Sequence, residues 1–173
     1  MQPQLSIILP CYNPPKDWEK IVVESFQKLA ALTTNSIELI LVNDGSKKGL
    51  SKEHLAYIEN EIASFKLVSY DTNRGKGYAL RQGVAASTGK LKIYTDIDFP
   101  YELESMIAIF SKLNKGSEVV LGKRGQSYYD KTPWIRKRIS KTLRWFLKNF
   151  LRLPTDDSQC GLKDSTKREQ KYF

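Results

Sequence analysis

Short apolar runs alternate with amphipathic or polar segments along most of the chain. Leu5 to Leu9, LSIIL, is apolar enough for a strand covered on both faces, and Pro10 is expected to stop it. Pro14 and Pro15 then open a helix to about Leu32, with Ile21, Val22, Phe26 and Leu29 on one side. Ile37 to Val42, IELILV, predicts a second buried strand, ending in the turn sequence Asn43-Asp44-Gly45-Ser46. A polar helix follows from about Ser51 to Ser64, and FKLVSY, Phe65 to Tyr70, predicts a third strand. Asn73-Arg74-Gly75-Lys76-Gly77 is a glycine-rich turn that opens a helix through about Ser87. Lys90 to Thr95 predicts a fourth strand, and Pro100 starts a helix through about Leu113. Glu118 to Leu121, EVVL, predicts a fifth strand, followed by Gly122-Lys123-Arg124.

Strands alternating with helices predict an α/β domain with a mainly parallel sheet flanked by helices. In such sheets ligands bind beyond the carboxyl ends of the strands. The strand ends with suitable residues are Pro10-Cys11-Tyr12-Asn13, Asn43-Asp44-Gly45-Ser46, Asp96-Ile97-Asp98 and Gly122-Lys123-Arg124. They are expected to converge on one crevice. No internal repeat or low-complexity linker interrupts the pattern, so residues 1–173 read as a single domain.

Composition narrows the partners. The formal net charge is +9, which favours a polyanion: nucleic acid, an acidic membrane surface or a phosphorylated substrate. The basic residues gather in one amphipathic stretch and no nucleic-acid motif is present, so nucleic acid is not the expected partner. Cys11 and Cys160 require no disulfide and, without clustered histidines, make no zinc site. The single histidine, His54, falls in a polar helical pattern and reads as a surface residue. The N-terminus MQPQLSIILP lacks the basic region and apolar length of a signal peptide, and no run of about 20 apolar residues follows. A cytoplasmic location is the resulting expectation.

Asp96 and Asp98 carry the sharpest chemistry. Two carboxylates one residue apart at a strand end can bind a hard divalent cation, with substrate phosphate completing the shell. The alternative is capping of the helix expected from Pro100. Asp44 is either a turn residue or an acceptor for the N–H of a nucleotide base. Gly75-Lys76-Gly77 is either a tight turn or a helix start that receives an anion, with Lys76 adding charge. Arg124 is either a solvated arginine or a phosphate partner.

In order along the chain, SIILPCYN, LILVNDGS, NRGKGYALRQGVAASTGKLKIYTDID, VVLGKR and DDSQCGLK resemble a family 2 glycosyltransferase of GT-A fold. Within that family the chain is similar to the polyprenyl-phosphate (dolichol-phosphate) mannose or glucose synthases, from Leu5 to about Lys163. The resemblance implies inverting chemistry: hexose transfer from a nucleotide-diphosphate sugar, of UDP-glucose or GDP-mannose type, to a lipid phosphate. Pro10 and Tyr12 would line the base pocket and Asp44 would hydrogen-bond the base. Asp96 and Asp98 would hold Mg²⁺ or Mn²⁺ against the diphosphate, with Ile97 packed near the ribose. Lys76 and Arg124 would meet phosphate, and Asp157, with Asp156 as its competitor, would be the acid on the acceptor side. Asp98 and Asp157 are thus the residues assigned to catalysis.

Two departures accompany the resemblance. Many relatives have a polar residue two beyond the acid pair, where this chain has Pro100. Relatives also usually continue beyond the segment matching QCGLK, so a truncated or minimal form is expected here.

Residues 133–153 predict a basic amphipathic helix within the domain. Ile135, Ile139, Leu143, Phe146, Leu147 and Phe150 share one face, while Lys137, Arg138, Lys141, Arg144, Lys148 and Arg152 share the other. Such a helix either packs on the domain or lies on an anionic bilayer, where each basic residue contributes about 1 kcal/mol. A lipid-phosphate acceptor fits the second option and implies peripheral contact with the cytoplasmic membrane face.

Overall fold

The computed structural model describes residues 2–33, 36–100, 103–115, 117, 119–121 and 163–166. The elements run β1 (Leu5–Cys11), α1 (Trp18–Leu32), β2 (Ile37–Asp44), α2 (Lys52–Glu61) and β3 (Phe65–Tyr70). They continue with α3 (Lys76–Ala86), β4 (Leu91–Tyr94), α4 (Leu103–Asn114), β5 (Val119–Leu121) and β6 (Lys163–Thr166). The sheet order is β3-β2-β1-β4-β6-β5. β1 pairs in parallel with β2 and β4, β2 pairs in parallel with β3, and β6 is antiparallel to both β4 and β5. The expectation of a mainly parallel sheet flanked by helices holds. β6 went unforeseen because KDST is a polar tetrapeptide without apolar alternation.

The middles of β1 and β2 are apolar because helices cover both faces, and the polar residues Ser6, Glu38, Asn43 and Asp44 fall toward the strand ends. On one face Ile7, Leu9, Leu39, Leu41 and Ile93 pack with Trp18, Val22 and Phe26 of α1, Ile58 of α2 and Met106 of α4. On the other, Ile8, Ile40 and Val42 receive Ala79 of α3. The α1 face includes Val23, whereas Ile21, expected on it, is exposed.

β1 continues through Pro10 to Cys11, past its expected stop. A parallel-strand residue directs its N–H and C=O to the same neighbour. Ile8 accepts from Thr95 on the β4 side, so Pro10, two residues on, directs its missing N–H to that side too. β4 has already ended at Tyr94, and no ladder bond is lost. α1 begins at Trp18 rather than at the prolines, and the Trp18 indole N–H donates to the Gly49 carbonyl at 2.8 Å. His54 is half-buried and not a plain surface residue. It forms a capping box with Ser51 at the start of α2, and its ring meets Trp18 edge-on.

Candidate functional site

The chain steps outward from β1 to β2 to β3, then crosses to β4 on the other side of β1. The crossover helix α3 lies on the opposite face from α1 and α2, so the connections part where the strand order reverses, which leaves a crevice at the carboxyl ends of these strands. A cleft of about 270 Å³ occupies that place. Pro10, Cys11 and Tyr12 line it from β1, Asp44 from β2, Asn73, Gly75 and Lys76 from the entry to α3, and Asp96 from just past β4. Five residues singled out in the sequence, Pro10, Tyr12, Asp44, Lys76 and Asp96, thus share one cleft.

Ile97 is not among the lining residues and packs against the larger core. Asp98 is exposed beside Asp96. Arg124, Asp156, Asp157, Cys160, the strand end at Gly122-Lys123-Arg124 and the basic stretch 133–153 lie outside the described residues.

Asp44 is only 3% exposed. Its Oδ1 accepts from the Arg74 backbone N–H at 2.8 Å, and its Oδ2 accepts from the Gly75 N–H at 2.9 Å and the Asn73 Nδ2 at 3.0 Å. The Asn73 amide also donates to the Asp44 carbonyl at 3.2 Å. A carboxylate has about four acceptor sites, so these bonds take most of its capacity. Burial, reinforced by the Asp44 carboxylate, holds the Tyr70 phenol well above its usual range. Gly45 makes this contact sterically feasible: its φ is 68°, and a Cβ there would stand 2.6 Å from the Asn73 nitrogen.

The other wall is fastened through Asn13, in the left-handed region at φ 47°. Its Oδ1 accepts from the Lys47 and Lys48 N–H groups at 2.9 and 3.2 Å, while its own N–H donates to Ser46 Oγ at 2.9 Å. These bonds tie the loop after β1 to the loop after β2 and hold Tyr12, 52% exposed, at the cleft. Burial pushes the Cys11 thiol up to about 12, with a hydrogen bond to Ser46 offsetting part of the rise. It is therefore a packing residue at neutral pH, without a reactive thiolate.

Lys76 forms an ion pair with Asp96 across the cleft. The Phe99 N–H donates to the Asp96 carbonyl at 3.0 Å, closing a turn in which Phe99 takes φ 43° and is buried. A bulky residue pays steric strain there, which its burial holds in place. Phe99 and Pro100 are not helical, so Asp98 does not stand at the N-cap of α4. Sequence reasoning passed over Asn13 and Asn73 as site-builders; their positions beside the Tyr12 and Gly75 motifs were the available signal.

The profile of glycosyl transferase family 2 matches residues 6–167. The chain belongs to that family. It is 26% identical over 172 residues to a dolichyl-phosphate beta-glucosyltransferase of Dictyostelium discoideum, covering 92% of this chain and 53% of the relative. It is 27% identical over 160 residues to a bactoprenol glucosyl transferase of Shigella phage SfX, covering 91% and 50%. The chain therefore spans about half the length of these curated relatives.

Among solved structures, glucosyl-3-phosphoglycerate synthase from Mycobacterium tuberculosis, in complex with Mg²⁺ and UDP, superposes with a TM-score of 0.60 at 19% identity, over 96% of this chain and 57% of that one. The fold is GT-A, as the family resemblance implied. Among the described residues no helix is long and apolar enough to cross a membrane, and no group of three or more His, Cys, Asp or Glu could hold a metal.

Proposed function

We propose that the chain carries the donor site of a metal-dependent hexosyltransferase that takes its sugar from a nucleotide diphosphate and delivers it to a polyprenyl phosphate. The observation that carries the reading is the cleft at the β1–β4 switch point, where the Lys76 ammonium faces Asp96 and Asp98 follows exposed. The names of the two curated relatives support the lipid-phosphate acceptor. The Mg²⁺ and UDP of the mycobacterial synthase support a divalent ion and a uridine nucleotide, with GDP-mannose as the other donor type to test.

The residues fit a hard cation. Asp96 lines the cleft and Asp98 follows it exposed, so two carboxylates, the oxygen donors that a hard cation takes, stand one residue apart, with Lys76 able to move from Asp96 to an incoming phosphate. Asp96 and Asp98 would hold Mg²⁺ or Mn²⁺, and two carboxylates suffice where donor phosphates and water complete the shell. The ion would supply Lewis-acid stabilisation of the departing diphosphate. Tyr12 offers an exposed ring for the base, and Asp44 keeps one acceptor site for a base N–H. Lys76, at the start of α3, adds its charge and the helix dipole on the diphosphate side. In this reading Arg124 also meets phosphate and Asp157 serves the acceptor. A phosphate acceptor is already ionised, so it needs positioning more than a general base. The stretch 133–153 would bring the site to an anionic membrane face.

A thermal-shift panel of UDP-glucose, GDP-mannose and related nucleotide sugars, with and without Mn²⁺, tests the donor site. Stabilisation by one nucleotide class, enhanced by Mn²⁺, is expected, because a ligand that prefers the folded state raises the melting temperature. If none shifts it, the donor reading is wrong. Radiolabelled hexose entering an organic-solvent lipid fraction supports the polyprenyl acceptor. Label recovered only in polysaccharide points to a sugar acceptor instead, and binding without transfer marks a nucleotide-sugar-binding module.

A further inference from the structure

We infer that Asp44 is a positioning residue for Lys76: it fixes the backbone that leads into α3, and so determines where the Lys76 ammonium meets a diphosphate. The inference rests on the donor-site reading above. Residues 73–75 belong to neither strand nor helix, so their N–H groups have no ladder to satisfy them. Asp44 supplies that satisfaction for two of them from the end of the central strand β2, accepting from the Arg74 and Gly75 N–H groups at 2.8 and 2.9 Å, and it also accepts from the Asn73 side-chain amide at 3.0 Å. Bonds to a carboxylate are charge-assisted, and this one is buried, which strengthens them. Gly45 closes the contact from below, where even a methyl group would collide with the Asn73 nitrogen.

The far end of α3 is held in the same way. Glu38, on the same face of β2, accepts from the Thr88 N–H at 2.6 Å and the Gly89 N–H at 2.8 Å, just beyond α3. The spans match. The six residue steps of strand from Glu38 to Asp44 cover about 20 Å, and the eleven residues of α3 cover roughly 16 Å. The helix is thus hung from one strand by a carboxylate at each end. Lys76, its first residue, inherits a fixed origin from Asp44 although its own side chain is half exposed. A base acceptor alone would need none of the three bonds to the loop.

The test uses Mn²⁺-pyrophosphate, a probe that has the diphosphate but no base, with titration calorimetry on the full chain. Asp44→Asn and Lys76→Met should each weaken binding about tenfold, the order expected for loss of one charge-assisted contact. In the double variant the two losses should not add, because Asp44 acts through Lys76. Asn73→Ala, which leaves the buried carboxylate in place, should weaken binding about threefold in the wild-type background and not at all beside Lys76→Met. It keeps the test open if Asp44→Asn folds poorly. Losses that add in full, or a D44N protein that binds pyrophosphate as the wild type does, overturn the inference. Failure of the wild type itself to bind either pyrophosphate or any nucleotide instead overturns the donor-site reading beneath it.

Discussion

The two ends of β2 use the same device for different ends. At the amino end Glu38 Oε1 accepts from Ser6 Oγ at 2.6 Å as well as from the Thr88 and Gly89 N–H groups, and Oε2 accepts from Thr88 Oγ1 at 3.0 Å. Lys92, 3% exposed, donates to the Gly89 carbonyl at 3.2 Å, and Ser6, Glu38 and Gly89 are buried with it, while Thr88 is exposed at the rim. At the carboxyl end Asp44 grips residues 73–75 with equal economy, yet beside it the structure opens into the cleft where Lys76 and Asp96 stand partly exposed. A buried acid on a central strand is therefore no mark of a site. What separates the two ends is the switch point between β1 and β4, which opens the cleft at the carboxyl end.

The largest effect is expected from closing the tighter end by one methyl. A Cβ on Gly89 would stand 2.4 Å from Ser6 Oγ and 2.7 Å from the Ser6 backbone nitrogen. The backbone cannot yield as a flexible side chain can, so Gly89→Ala should destabilise by about 3 kcal/mol in chemical denaturation. A loss below about 1 kcal/mol would mean that the amino end is loosely packed, and the contrast between the ends would lose its basis.

Amide substitutions rank next, and they separate the two acids. Asp44→Asn must present its NH₂ to either the Arg74 or the Gly75 N–H, leaving two donors face to face at a part-buried contact. About 2 kcal/mol is expected, together with faster hydrogen exchange at the Arg74 and Gly75 amides. Glu38→Gln escapes that conflict: the Oε2 position meets only the Thr88 hydroxyl, which can reverse and accept. Its loss should be nearer 1 kcal/mol. Equal losses at the two positions would show that donor geometry does not control either end.

Glu38→Gln also carries a pH signature. Burial alone would raise the Glu38 carboxyl, but the hydrogen bonds from Ser6, Thr88 and Gly89 outweigh it and hold the group below its ordinary 4.5. A lowered folded-state value means that the unfolded chain binds the proton more readily. The stabilisation is complete above the ordinary glutamate range and fades as pH falls below it through the folded-state value. Melting curves from pH 6 downward should therefore converge for wild type and Glu38→Gln. Parallel curves would remove Glu38 from the acid response.

Much of this contrast was written in the chain, though unevenly. The apolar runs located β1 to β5 and the parallel sheet, because strands covered on both faces are apolar through their middles. The turn residues located the cleft, since Pro10, Tyr12, Asp44, Lys76 and Asp96 lie where strands end. Other features depended on contacts across the sequence. β6 has no apolar signature and exists through pairing with β4 and β5. The Asp44 grip joins residues some thirty apart, and nothing in DGS distinguishes an acid that binds a loop from one that awaits a base. Even Pro10 reads as a strand stop until the early end of β4 removes the need for its N–H.

The smallest stability effect falls at the most exposed pair. Lys76→Met removes an ion pair whose side chains are 48% and 36% exposed, and such pairs contribute no more than ~0.5 kcal/mol once solvent screening is counted. Denaturation of the ligand-free protein should hardly register the change, while protection by Mn²⁺-pyrophosphate should largely disappear. That dissociation is what distinguishes a charge kept for a ligand from one that fastens the fold. If Lys76→Met instead costs as much stability as Glu38→Gln, the carboxyl end is a second fastening, and the ion pair with Asp96 is its clasp.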